Sequence, residues 1–99
     1  MAETVKKTGG AYNLQCIQES ANYFAIIFFY LPLQSIVVLK IINQTGHDVR
    51  LLLNEELPTG THTVKFFYGR LKGDYVIKLF IKSEKIIDIN SLLIQIPSL

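Results

Sequence analysis

The side chains with chemistry to offer are Cys16, His47 beside Asp48, His62, and the adjacent pair Glu55-Glu56. A cysteine nucleophile needs a base or a cation that stabilises its thiolate. Cys16 lies in Leu14-Gln15-Cys16-Ile17 with no such neighbour in sequence, which fits a small thiol buried in a strand. A zinc site wants about four ligands, closely paired. His47 and His62 stand fifteen residues apart and fit simpler roles. His47 leaves a turn, and His62 is a strand residue leaning on the core or packing under a loop. Glu55 and Glu56 fall in a polar loop, facing solvent. Asn43-Gln44-Thr45 has the form of a glycosylation sequon, a short pattern that chance produces often. Thr8-Gly9-Gly10 lacks the strand–loop–helix setting of a phosphate loop. The residues predict no catalytic constellation, metal or cofactor: the chain is expected not to be an enzyme.

The elements that would position these residues read as short strands separated by turn signals. The first is Ala11 to Ile17, with Tyr12, Leu14 and Cys16 on one face, and Gln18 to Asn22 forms a polar link. Phe24 to Leu31 is aromatic and β-branched, suits a strand buried on both faces or nearly so, and ends at Pro32. From Ser35 to Asn43, Val37, Leu39 and Ile41 alternate with Ile36, Val38, Lys40 and Ile42. Lys40 turns the second set outward or toward a partner. Gly46 supplies the positive φ of the turn that follows. His47 to Leu53 reads as a short strand near an edge, and Asn54 to Gly60, rich in breakers, as the longest loop. Thr61 to Phe67 places His62, Val64 and Phe66 opposite Thr61, Thr63 and Lys65. After a turn at 68–73, Tyr75, Ile77, Leu79 and Ile81 point inward from Asp74 to Lys82. A last strand falls within Lys85 to Ile96; a helix over Asp88 to Ile96, capped at Asn90-Ser91, is the alternative, but its isoleucines favour a strand. Tyr75, behind Leu71-Lys72-Gly73-Asp74, matches a tyrosine corner, in which the hydroxyl bonds to upstream backbone; the simpler reading is an ordinary buried strand tyrosine. Gly60 and Gly73 mark further turns.

Seven strands at this spacing predict an all-β, immunoglobulin- or fibronectin-III-like antiparallel sandwich over 11–99. Residues 1–10 would form a flexible arm or an added leader. The length of 99 residues suits one such domain, and 49% apolar content allows a sizeable core. With 18% charged residues the body of the chain is not expected to be disordered. The net charge of +2 is spread along the strands, not gathered into the basic patch that nucleic acid requires. The apolar run Tyr23 to Leu31 is too short to cross a bilayer as a helix, and the start of the chain has no signal-peptide pattern. The chain is expected to be cytoplasmic if complete, and exported or at the cell surface if cut from a longer protein.

From Ile27 to about Leu93 the chain resembles the C-terminal sorting domains of the type IX secretion system, and equally the immunoglobulin-like domain of the flagellar hook-capping protein. Phe28, Tyr30, Leu31 and Pro32 carry the start of the pattern, then Val37, Leu39, Ile41, Asn43, Gly46 and Val49. Gly60, His62, Val64 and Phe66 follow, and Leu71, Gly73, Tyr75 and Leu79 close it. Three departures are visible: Ser20-Ala21-Asn22-Tyr23 stands where such domains often have Pro-Asn-Pro, the turn Leu71-Lys72-Gly73 is shortened with Asp74 in place of the usual apolar neighbour, and the end reads Pro97-Ser98-Leu99 where they tend to have a basic residue.

The resemblance implies a non-catalytic module of an exported bacterial protein, used in secretion sorting, anchoring or assembly, with a protein partner or an adjoining domain. A second expectation is a stand-alone interaction domain, or homodimer, pairing through a strand edge or the face of Ile36, Val38, Lys40 and Ile42, which is apolar for a free surface. A third is carbohydrate binding by loop aromatics, Tyr12, Tyr23 and Tyr68.

Overall fold

The computed structural model describes the backbone of residues 2–7 and 12–97, with the side chains of residues 2–7 and Ser20 left aside. Seven antiparallel strands run from Gln15 to Ile96: β2 (Gln15–Glu19), β3 (Phe24–Leu31), β4 (Ser35–Asn43), β5 (Asp48–Leu57), β6 (Gly60–Phe67), β7 (Gly73–Lys82) and β8 (Ile87–Ile96). They form two sheets, β2-β3-β6 and β5-β4-β7-β8. Ahead of them β1 (Ala2–Lys7) runs antiparallel beside β2 and adds an outer strand to the first sheet. The expected arm or leader, residues 1–10, lies partly outside the described residues. The expected fold class stands: an all-β immunoglobulin/fibronectin-III-like sandwich. The chain changes sheet at three connections, Pro32–Gln34, Pro58-Thr59 and Tyr68–Lys72.

Alternation builds the core. Ala25, Ile27, Phe29 and Leu31 of β3 face inward, as do Val37, Leu39 and Ile41 of β4, and Ile77, Leu79 and Ile81 of β7; all are buried. Each of these valine, leucine, isoleucine and phenylalanine side chains stabilises the fold by about 1.5–3 kcal/mol on leaving water. The outward residues of β3 are half-buried, apart from exposed Tyr30. β3 is therefore buried on its inner face and only half-buried on its outer one, short of the burial on both faces that its composition predicts. Pro32 follows the last residue of β3.

Three boundaries differ from the sequence reading. The first strand of the core begins at Gln15, not Ala11, and runs on through Gln18 and Glu19; a 3-10 turn, Ser20–Asn22, then leads to Tyr23 at φ +59°. Gln18 is buried, and its amide donates to the Gln95 carbonyl at 2.9 Å. A polar residue there joins the two sheets, so polarity at Gln18 did not mark a turn. The fourth strand is not short but spans ten residues, and the predicted long loop shrinks to Pro58-Thr59. Asn54, Glu55 and Glu56 are polar because β5 is an edge strand open to water, not because the chain leaves the sheet there. Asp88 to Ile96 is strand.

Turns use residues suited to them. Gly46 has φ +88° in the β4–β5 hairpin, a conformation that side chains with a Cβ resist. Asn43 Oδ1 accepts hydrogen bonds from Thr45 N at 3.1 Å, Thr45 Oγ1 at 2.8 Å and His47 N at 2.9 Å. Gly60, φ +129°, opens β6 where the chain crosses between sheets; Gly73 also has a positive φ, +99°.

Candidate functional site

The chemistry-bearing residues are dispersed. Cys16 faces the core from β2, opposite Ile27, and burial pushes its thiol up to about 11. It is held as a neutral thiol at physiological pH. His62 stacks beside Phe29 with ring centres 5.6 Å apart, and its Nε2 lies 2.8 Å from the Pro58 carbonyl, to which it donates. It thus leans on the core and holds the short connection before β6. His47 closes the β4–β5 turn, its Nδ1 2.8 Å from Thr45 Oγ1. Glu55 and Glu56 are exposed neighbours on a strand, so their carboxylates point to opposite faces; Glu56 accepts a hydrogen bond from Gln34 at 2.9 Å. Among the described residues, no three His, Cys, Asp or Glu side chains gather as a metal would require, and no helix is long and apolar enough to cross a membrane. Tyr12 sits in the core, its phenol held above the ordinary tyrosine value by burial first and by the neighbouring Asp88 carboxylate second.

Of the aromatics considered for sugar binding, Tyr12 and Tyr68 are buried and only Tyr23 is open, 43% exposed. Tyr23 and Tyr68 meet edge to face, 6.4 Å between centres, beside a depression of about 540 Å³ that Arg70, Lys72 and Pro97 also line. Tyr75 stands half-buried against the core, between Asn43 and Ile94. Among the described residues its hydroxyl has no hydrogen-bond partner, so Tyr75 acts there by packing. The tyrosine whose hydroxyl reaches upstream backbone is Tyr68, 3.5 Å from the Glu19 carbonyl.

The outward face of the β5-β4-β7-β8 sheet carries several exposed apolar side chains. Its rows run across the strands: Ile36, Lys82, Ile87; then Val38, Phe80, Ile89; then Lys40, Lys78, Ser91; then Ile42, Val76, Leu93. Within the face read from the sequence, Ile36 is exposed and Val38 and Lys40 are half-buried. Ile42 is not available: it is 7% exposed, where two register shifts of β5 against β4 alter the local twist. Lys40 is engaged as well, 2.9 Å from an Asp48 carboxylate oxygen and 5.5 Å from the centre of the Phe80 ring. The sequence reading missed the far side of this surface. Ile87, Ile89 and Leu93 of β8 stand open there at 79%, 54% and 64%, and Leu51 of β5, opposite Lys40, at 59%. Their alternation with Asp88, Asn90 and Leu92 was the available signal.

Fold and site together define the class: a two-sheet, seven-stranded sandwich whose open chemistry is a sheet face and its margin. Comparisons of the chain with models of protein families, with curated proteins and with solved structures find no match. Of the resemblance to sorting and hook-capping domains, the structure shows the all-β, two-sheet fold of seven antiparallel strands and nothing finer.

Proposed function

We propose that this chain is a non-catalytic immunoglobulin-like module that works by binding protein, in the sorting, anchoring or assembly of an exported bacterial protein. One observation carries the binding reading: β8 ends its sheet and exposes Ile87, Ile89 and Leu93. Apolar side chains along the outer edge of a sheet are an established means of capturing another chain, with backbone hydrogen bonds for affinity and alternate side chains for choice of partner. The exported context is supported by the resemblance. Its motif residues occupy places where such a sandwich needs them: Leu31-Pro32 at a strand end, Gly46 and Gly60 at turns, Val64 and Phe66 on the inner face.

The test fuses the full chain to the C-terminus of a secreted reporter in a bacterium with a type IX system. Reporter in the medium or at the cell surface is the expected result. Reporter retained in the periplasm overturns the sorting version.

A further inference from the structure

The two edges of the β5-β4-β7-β8 sheet are treated differently. β5 carries Asp48, Arg50, Glu55 and Glu56 among ten residues, shifts register twice against β4, and is followed by Pro58. Charges, irregularity and proline are the usual means of keeping a sheet edge from pairing. β8 is equally long, pairs with β7 without a register shift, and holds one charge, Asp88.

The direction of its backbone groups follows from two hydrogen bonds. Ser83 N donates to the Ile86 carbonyl at 2.8 Å, which continues the β7–β8 register and assigns the even-numbered residues of β8 to the ladder with β7. Odd-numbered residues therefore direct N–H and C=O away from β7, because these groups alternate along an antiparallel strand. The Gln95 carbonyl agrees: it accepts from the Gln18 side chain, outside the ladder. Gln95 is thus occupied, and among the described residues the open set is Ile87, Ile89, Ser91 and Leu93, with β1 of the other sheet approaching β8. The same residues carry the outward side chains.

The geometry points to a second copy of this chain as the partner, its β8 pairing antiparallel with β8 around a two-fold axis at Asn90. This deepens the protein-binding reading and rests on it. The open set is symmetric about residue 90, so in this register Ile87 faces Leu93 of the second copy and Ile89 faces its Ser91. All four open residues are used and Gln95 is left to Gln18. Asn90 faces itself, and an amide, with donor and acceptor, can satisfy its own copy. The single charge avoids itself: the two Asp88 residues lie four positions out of register, about 14 Å along the strand at 3.4 Å per residue. In-register parallel pairing would set them side by side. The product is one continuous sheet of eight strands, β5-β4-β7-β8 followed by its two-fold mate.

Light scattering on the full chain across a concentration series should show mass rising toward twice 11.3 kDa. Ser91→Pro removes only an edge-facing N–H and spares the ladder with β7, so it should fold yet stay at single mass; Leu93→Lys should do the same. Asn90→Cys should give a disulfide-linked dimer on mild oxidation, because directly opposed residues of a non-hydrogen-bonded pair lie about 4.5 Å apart at Cα. Ser91→Cys should not, and buried Cys16 stays silent in both. A wild-type chain of single mass at every concentration overturns self-pairing, and cross-linking through Ser91→Cys instead of Asn90→Cys overturns this register. A monomer whose reporter fusion is still exported defeats the dimer alone. A dimer whose fusion stays in the periplasm defeats the sorting role alone.

Discussion

Leu92 and Leu93 are adjacent and chemically identical, yet they face opposite ways. Leu92 is 6% exposed, opposite fully buried Ile77, and belongs to the core with Ile94 and Ile96. Leu93 is 64% exposed, opposite Val76 on the outer face. Truncating a core leucine to alanine costs about 2–5 kcal/mol, the transfer term plus the cavity left behind. Truncating an exposed one stays within about 0.5 kcal/mol. A loss of about 3 kcal/mol at a urea slope near 1.5 kcal/mol per molar moves the unfolding midpoint down by about 2 M. Leu92→Ala should therefore shift the midpoint by about 2 M and Leu93→Ala by under about 0.4 M by the same slope. The assay is urea unfolding followed by far-ultraviolet circular dichroism, at concentrations where light scattering shows single mass. Equal shifts would refute the alternation in β8. A larger shift for Leu93→Ala would mean that the strand is slipped by one residue, which moves every side chain to the other face.

Cys16 should resist a thiol reagent such as DTNB at pH 8 in the native protein and react at once in urea. Burial raises its folded value to about 11 from 9.0. The unfolded chain gives up that proton first, so stability is intact below the ordinary value and falls as pH rises toward 11, by roughly 2–3 kcal/mol in all. Cys16→Ala should remove this part of the alkaline loss, and an unchanged pH slope in that variant would contradict it. At the β4–β5 turn, Asn43→Ala should cost about 1 kcal/mol, since the three donors it serves are exposed and can bind water instead. Gly46→Val should cost about 1–2 kcal/mol from its left-handed backbone alone, because nothing lies within 4 Å of an added Cβ. At about 4–8 °C per kcal/mol for a domain of this size, calorimetry resolves both. Gly46→Asn should be milder than Gly46→Val.

Strands with water or a partner strand on one face and the core on the other were legible, since alternation is a local property of sequence. β4, β6 and β7 show it, with Val37-Leu39-Ile41, His62-Val64-Phe66 and Ile77-Leu79-Ile81 inward. The roles of His47 and His62 were legible from the turns beside them. β5 was not, because an edge strand is wetted widely and its residues lose the pattern: Asn54-Glu55-Glu56 looks like a loop while pairing with Val38, Val37 and Ile36. The inward amide of Gln18 was hidden because its partner is a backbone carbonyl 77 residues away. Strand order is equally non-local. The exposed face could be assigned to β4 from its lysine, but the place of β8 at the end of the sheet is fixed only when β7 lies between them.

That place gives the open edge its value as a binding element. Pairing by an unstructured segment loses affinity to the ordering of both strands. β8 is already ordered, held by its ladder to β7 on one side and by the burial of Leu92, Ile94 and Ile96 beneath it. The Gln18–Gln95 bond adds a tie to the opposite sheet at the strand's end. The even residues thus fix the strand while the odd residues present backbone groups and apolar side chains along the same line. Substitutions should divide accordingly. Changes at even positions of β8 act first on stability, and changes at Ile87, Ile89, Ser91 and Leu93 act on association while leaving the unfolding midpoint of the single chain nearly unmoved. A variant series in which association followed stability at every position, odd and even alike, would show that the edge has no binding role separate from the fold.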